Sequence, residues 1–265
     1  MTDKKEEKLR QYPEGSAQHD FYRTLHARQS LAFVRTKAAE YSALERRSMT
    51  MAQALELLDT FVDPSDPDTH EPNVLHAYQT AERIRKEEPD NTALQVCGLV
   101  HDVGKVLFSF GEPSWAVVGD TFVLGCKPAD SIVCRETLRN NPDAHEPWFT
   151  SETGIYDPGC GMAALHVSFG HDEYLYRVLA HNRARHALPE RYWDVVRFHS
   201  LYPWHTGGDY AQFMRDGDER ILRDVRAFNR YDLYSKQDDP QEITPETRAY
   251  YAGLLARYFP EPLAW

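Results

Sequence analysis

Six side chains of the kinds that bind transition metals are spread over more than half of this 265-residue chain. They are four histidines and two aspartates: His76, His101, Asp102, His171, His199 and Asp232. Imidazole and carboxylate groups in these numbers suit two transition-metal ions. Lys105 follows His101 by four residues, so on a helix it would face the same site. The pattern predicts a dinuclear metal centre with a lysine beside it.

The surroundings of these residues favour a metal site over isolated polar groups. His-Asp pairs occur three times, at 19–20, 101–102 and 171–172, and taken alone such a pair is more often a surface or capping pair. The pair at 101–102, however, lies in the apolar stretch 96–107, where an unpaired charge would be costly. His199 and Asp232 also have apolar neighbours, although each alone could be a hydrogen-bonded core group. Together, on separate helices, they favour a metal site in a helical bundle.

The elements that must position these residues are predominantly helical by apolar spacing. The segment 111–158 holds many prolines and glycines, which predicts loops and short helices there. With no linker-like composition shift, we expect one all-α domain over 1–265. The predicted helices are 18–42, one behind a possible capping box of Thr50 and Gln53, 73–88, 92–110, 161–182, 189–201, 218–236 and a last one starting near 244.

The composition limits the possible function classes. The formal net charge of −11 argues against general nucleic-acid binding, which usually needs a basic face. We expect no apolar run long enough to span a bilayer, and the charged first ten residues lack an apolar signal core. These features predict a cytoplasmic protein that binds neither nucleic acid nor membranes. The four cysteines form no CxxC pair, so we expect buried thiols rather than a disulfide framework.

The order of the metal-type residues, His…His-Asp…Asp with two histidines between, resembles the HD-domain superfamily. That resemblance implies a helical fold with a metal centre at the His-Asp pair. By itself it would favour a metal-dependent phosphohydrolase.

Longer blocks are more specific, and they cover nearly the whole chain. They include PNVLHAYQTAE at 72–82, GLVHDVGKVL at 98–107, FGEPSWAVVGDTF at 110–122 and RFHSLYPWHTG at 197–207. These blocks resemble the myo-inositol oxygenase family. Two departures are a short N-terminus and Pro64, which stands where an acidic residue is expected.

The family resemblance implies a non-haem di-iron centre in a mixed-valent Fe(II)/Fe(III) state. It implies that His76, His101 and Asp232 bind one iron, that His171 and His199 bind the other, and that Asp102 bridges them. The implied reaction is cleavage of the C1–C6 bond of myo-inositol by dioxygen to give D-glucuronate and water. Lys105 would stabilise the substrate alkoxide.

The resemblance also implies the substrate contacts and an arm or lid formed by residues 1–20. The contacts would be Arg10, Asp63, Ser65, Lys105, Gly119, Asp120 and Ser200. A simpler reading of Asp63 and Ser65 is a turn or a helix cap. The simpler interpretation of Lys105 is a structural ion pair with Asp102, and this role is compatible with substrate contact.

Three other functions stay open at this stage. The first is an HD-type metal-dependent phosphohydrolase, for which only Lys105 and Arg10 offer cations near the motifs. The second is a related di-iron oxygenase acting on another polyol or an organophosphonate. The third is a metal-binding regulatory or scaffold protein without activity. The family resemblance favours a monomer.

Overall fold

The structure, a computed structural model, describes residues 10–63, 65, 72–235 and 243–265. Of the arm or lid expected over 1–20, residues 1–9 therefore lie outside the described residues. Pro64 and residue 236, the expected end of one helix, lie outside them as well. The described chain is mostly helical with four very short strands, which confirms the all-α class.

The helices run in chain order through the described residues. They are α1 (Ala17–Arg28), α2 (Leu31–Glu40), α3 (Met51–Leu57), α4 (Asn73–Glu87), α5 (Thr92–Val100), α6 (His171–His181), α7 (Glu190–Phe198), α8 (Tyr202–His205), α9 (Asp218–Ser235) and α10 (Pro245–Tyr258). The strands are β1 (Ser48–Met49), β2 (Val123–Leu124), β3 (His166–Val167) and β4 (Leu263–Ala264). The strands pair antiparallel, β1 with β4 and β2 with β3.

The segment predicted as one helix over 18–42 is two helices, so that prediction was wrong. Its break lies at Gln29 and Ser30, where the Ser30 hydroxyl accepts a hydrogen bond from the backbone N–H of Phe33 and caps α2. The Gln29 side chain bonds both the N–H and the carbonyl of Phe169, which ties the break to the core. The two helices have different neighbours: α1 packs against the 3₁₀ helix Arg135–Asn140, and α2 packs against β3.

The most apolar stretch of the chain passes through the centre of the protein. Regular α-helix ends at Val100, and a 3₁₀ helix, Val103–Phe110, continues beyond His101 and Asp102. By length and mean hydropathy (1.2) the stretch 92–110 could span a membrane, contrary to the sequence-based expectation. Because 78% of its most apolar part is buried inside the protein, it belongs to the protein core.

The helix predicted over 161–182 begins ten residues later than expected, at His171. A 3₁₀ turn, Met162–Ala164, and strand β3 precede it, and β3 pairs with β2 in the register Val123↔Val167. Gly170 is fully extended, and α6 starts at His171. The strand pairing and the main-chain bond from His171 N–H to the Val117 carbonyl fix where α6 begins.

Helices α4, α5, α6, α7 and α9 enclose the core, and the irregular 103–170 segment closes one side of it. All four cysteines are free thiols, and three of them are buried. This is the expected state.

Candidate metal centre and its cavity

The six metal-type side chains come together at the centre of this bundle. His76 lies on α4, His171 is the first residue of α6, and Asp232 lies on α9. The pair His101 and Asp102 stands where α5 gives way to the 3₁₀ helix. His199 is the residue after α7. All are buried except His76, whose side chain is 11% exposed.

Asp102 lies at the middle of the group, with each carboxylate oxygen facing a different pair of histidines. Its Oδ2 is 3.6 Å from Nε2 of His101 and 4.0 Å from Nε2 of His76. Its Oδ1 is 3.2 Å from Nε2 of His171 and 3.6 Å from Nε2 of His199. A carboxylate placed in this way can be shared by two cations.

Asp232 completes the group on one side of Asp102. Its Oδ1 is 2.8 Å from Nε2 of His76 and 3.5 Å from Nε2 of His101. The ligand atoms of these three residues lie within 4.8 Å of one another. On the other side, the Nε2 atoms of His171 and His199 are 3.2 Å apart.

Backbone carbonyls fix the tautomer of three of these histidines. His101 and His199 each donate from Nδ1 to the carbonyl three residues earlier, at 2.8 and 2.7 Å. His171 donates from Nδ1 to the carbonyl of Val117 at 2.9 Å. Because a carbonyl can only accept, each Nδ1 carries the proton and each Nε2 presents a lone pair to the centre.

Charge is concentrated at this centre. Burial alone would raise the pKa of Asp102, but Lys105 and the surrounding imidazoles hold that pKa well below its usual range. Burial would likewise raise the pKa of Asp232, but His101 and His76 hold it well below its usual range. Two ionised carboxylates and several Nε2 lone pairs, two of them 3.2 Å apart, form a donor set that fits metal ions of the transition series.

Lys105 is bonded to three acceptors. Its Nζ donates to Asp102 Oδ2 at 2.8 Å, to Asn73 Oδ1 at 2.8 Å and to Asp63 Oδ2 at 2.9 Å. Burial would lower the lysine pKa, but Asp102 and Asp63 raise it above its usual value. The expected ion pair with Asp102 is therefore present, and all three ammonium protons are in use.

A polar cavity opens onto the metal-type residues. It is lined by every residue expected to contact substrate: Arg10, Asp63, Ser65, Lys105, Gly119, Asp120 and Ser200. Tyr22 and Tyr202 also line it, although the sequence analysis did not select them. Neither tyrosine belongs to a periodic polar pattern, and only the contacts between distant segments bring them here.

Local bonds hold the walls of this cavity. Asp63 Oδ1 accepts hydrogen bonds from the backbone N–H and the hydroxyl of Ser65 at 2.8 and 2.6 Å. These two residues therefore form a local turn, and both also line the cavity. Asp120 Oδ1 accepts from the hydroxyl of Tyr22 at 3.0 Å. Gly119 has φ +101°, and a Cβ there would lie 2.8 Å from Leu25 Cδ1, so both backbone and space favour glycine.

Gly104 lets two parts of the site approach closely. A Cβ at this position would lie 1.9 Å from the carbonyl oxygen of His171. Only a glycine therefore allows the 3₁₀ helix, Val103–Phe110, to pack against the first residue of α6.

Comparison with known proteins gives one consistent answer. Residues 16–265 match the family described as myo-inositol oxygenase. The chain is 46% identical to inositol oxygenase of Homo sapiens over 245 residues, which is 92% of this chain and 85% of the relative. The inositol oxygenase of Danio rerio is 44% identical over 92% of this chain and 87% of its own. Inositol oxygenase 1 of Arabidopsis thaliana is 43% identical over 93% of this chain and 79% of its own. The chain therefore belongs to the myo-inositol oxygenase family, which has the HD-domain fold.

Proposed function

We propose that the protein is an inositol oxygenase that uses dioxygen to cleave the C1–C6 bond of myo-inositol, giving D-glucuronate and water. The observation that carries the proposal is the position of Asp102. Its two oxygens face two separate histidine pairs, and Oδ2 also accepts from Lys105 at the floor of a polar cavity. Family membership supports the same reaction.

We propose that the site holds two iron ions per chain in the mixed-valent Fe(II)/Fe(III) state. His76, His101 and Asp232 would hold one iron, His171 and His199 the other, and Asp102 would be shared. When bound, the irons would supply Lewis acidity and pass electrons from the substrate to dioxygen, whose four-electron reduction balances the four-electron oxidation of the ring. The protein keeps the donors ready, because the Nδ1 bonds to carbonyls hold three imidazole rings with Nε2 facing inward.

The polyol is neutral, so its recognition would depend on directed hydrogen bonds. Asp63 and Asp120 supply acceptors, and the hydroxyls of Ser65 and Ser200 can donate or accept. Arg10 supplies a donor near the described start of the chain. A cavity with these groups suits a ring that carries hydroxyls on every carbon better than it suits a phosphate.

Lys105 would stabilise the negative charge that develops on a substrate oxygen. Since all three of its protons already have acceptors, a substrate oxygen that binds Nζ must replace one of them. Asp102 belongs to the metal centre, and Asn73 is held by its own bond to the Phe61 carbonyl. Asp63 lines the cavity, whereas Asn73 does not, so Asp63 Oδ2 is the acceptor that yields while Oδ1 stays bonded to Ser65. The freed Oδ2 can then accept from a second substrate hydroxyl.

We also propose that the protein acts as a cytoplasmic monomer. The net charge of −11 opposes self-association through like-charged faces, and the family resemblance favours a single chain. Light scattering of the iron-loaded protein tests the oligomeric state.

The test of the function is anaerobic loading with iron, followed by addition of dioxygen and myo-inositol. Dioxygen uptake and glucuronate formation are recorded together, and one glucuronate per dioxygen is the expected result. Dioxygen uptake only with another polyol or an organophosphonate would keep the oxygenase and change the substrate. Phosphate release from phosphoesters without dioxygen consumption would overturn the proposal in favour of an HD-type hydrolase.

A further inference from the structure

A second cluster of metal-type side chains lies apart from the cavity. It consists of His19 on α1 together with Cys134 and Glu136, which stand at the beginning of the 3₁₀ helix Arg135–Asn140. One ligand atom from each residue lies within 4.8 Å of the others. None of the three lines the cavity, so the cluster has no part in the proposed reaction.

The donor atoms are an imidazole nitrogen, a thiol sulfur and a carboxylate oxygen. This combination suits a borderline-soft divalent ion such as Zn²⁺, which binds all three donor types. His19 Nε2 and Glu136 Oε1 are 3.0 Å apart. Two ligands on a tetrahedral zinc would be about 3.3 Å apart, so a small adjustment would admit an ion.

The burial of the three side chains gives the cluster a closed and an open side. The side chain of His19 is 9% exposed, whereas that of Glu136 is 60% exposed. Cys134 is buried and takes a left-handed backbone conformation (φ +49°, ψ +38°), which is uncommon for a residue with a Cβ. An ion would thus enter from the Glu136 side and meet two buried donors.

We propose that His19, Cys134 and Glu136 bind one zinc-class divalent ion, with solvent as the fourth ligand. Burial raises the pKa of the Cys134 thiol to about 11, so a binding ion must displace the thiol proton. The ion would join α1 to the segment 135–140. Since α1 also carries Tyr22, whose hydroxyl donates to Asp120, the ion would stabilise one wall of the cavity.

The probe is Co²⁺, added to protein whose main centre is already loaded with iron. Cobalt bound to a thiolate absorbs in the near ultraviolet by charge transfer, whereas cobalt bound only to nitrogen and oxygen does not. The residues of the main centre include no cysteine, so exchange of cobalt for iron cannot produce this band. We expect the band to saturate at one cobalt per chain and to disappear when Zn²⁺ is added. We also expect Zn²⁺ to raise the Tm of the iron-loaded protein.

Three variants decide the assignment. Cys134→Ser should abolish the band, His19→Gln should weaken cobalt binding at least tenfold, and Cys160→Ser should leave the band unchanged. Cys160 is the matched control, because it is a half-buried thiol outside the cluster. Iron content and oxygenase turnover equal to those of the parent protein would show that Cys134→Ser is folded. Absence of the band in the parent protein, or its persistence in Cys134→Ser, would overturn the proposal.

Discussion

The amide oxygen of Asn73 accepts a hydrogen bond of 2.8 Å from the ammonium group of Lys105, thirty-two residues away in the chain. Asn73 is itself held twice by the carbonyl of Phe61, through its side-chain amide at 3.2 Å and its backbone N–H at 3.1 Å. It is 6% exposed and begins α4, the helix that carries His76. Asn73 therefore positions the lysine relative to Asp102.

We expect Asn73→Ala to lower kcat/KM roughly 10- to 100-fold while the iron content stays near that of the parent protein. A hydrogen bond to a charged group contributes about 1.5–3 kcal/mol, and each 1.4 kcal/mol is a factor of ten. Steady-state kinetics and metal analysis check this. Asn140→Ala, at an exposed position, is the control and should behave like the parent protein. Unchanged kinetics for Asn73→Ala would exclude a positioning role.

Asp102 and Lys105 touch each other, yet their removal should have different effects. Asp102→Ala removes the carboxylate between the two histidine pairs, so we expect loss of bound iron together with loss of turnover. Lys105→Ala leaves all six metal-type residues in place, so iron should stay while kcat falls ~10²–10³-fold, as when a transition-state donor is lost. Metal analysis beside single-turnover kinetics separates the two effects. Full turnover with two irons in Asp102→Ala would disprove the bridging role.

Many residues of this site could be predicted from the sequence, because they lie in apolar stretches or in the long blocks that resemble the family. His101 and Asp102 stand out inside an apolar stretch, and the bundle fold follows from helical periodicity. Tyr22 and Asn73 were missed for a physical reason. Tyr22 meets Asp120 across 98 residues, and Asn73 meets Lys105 across 32, so only tertiary packing defines these bonds. The break at Ser30 was missed because apolar spacing continues across it, and the bond by which Ser30 caps α2 is seen only in the structure.

The late start of α6 has a related cause. Apolar residues at helix-like spacing precede His171, but β3 pairs with β2, and this pairing competes successfully with helix formation. Local propensity is a weak guide where a distant strand supplies backbone hydrogen bonds. The assignment of individual ligands to each iron stays a prediction until the metal-loaded variants are analysed.

Gly104→Ala tests how closely the core helix must approach α6. Its added Cβ would fall 1.9 Å from the carbonyl oxygen of His171, and backbone cannot move aside as easily as a flexible side chain can. We expect a loss of about 1–3 kcal/mol or more in the free energy of unfolding. We also expect weaker iron binding, because His171 must shift. Denaturant titration and metal analysis measure the two effects.

Gly253→Ala is the matched control for this substitution. Gly253 lies within α10, and a Cβ there meets nothing within 4 Å. Replacing a helical glycine by alanine should stabilise the protein by about 0.5–1 kcal/mol. Equal stability of the two variants would show that the tight contact at Gly104 is relieved at little cost.

The stability of the metal-free protein should depend on pH through His26, which is fully buried on α1. Burial lowers the pKa of His26 from 6.5 to about 4, and its Nδ1 bonds the hydroxyl of Thr137 at 2.6 Å. Between pH 6.5 and 4 the unfolded chain therefore binds a proton that the folded chain does not. Stability contributed by this group is complete above pH 6.5 and falls as the pH decreases toward 4.

Urea unfolding of the metal-free protein at several pH values measures this dependence. The histidine should contribute a loss of about 3 kcal/mol between pH 6.5 and 4, since one pKa unit corresponds to about 1.4 kcal/mol. His26→Gln should reduce the slope of stability against pH in that window, even though it lowers stability at pH 7. His145→Gln, at an exposed position, should leave the slope unchanged. If His26→Gln kept the parent slope, the acid sensitivity would have to originate in other buried groups, and His26 would be protonated in the folded chain as readily as in the unfolded one.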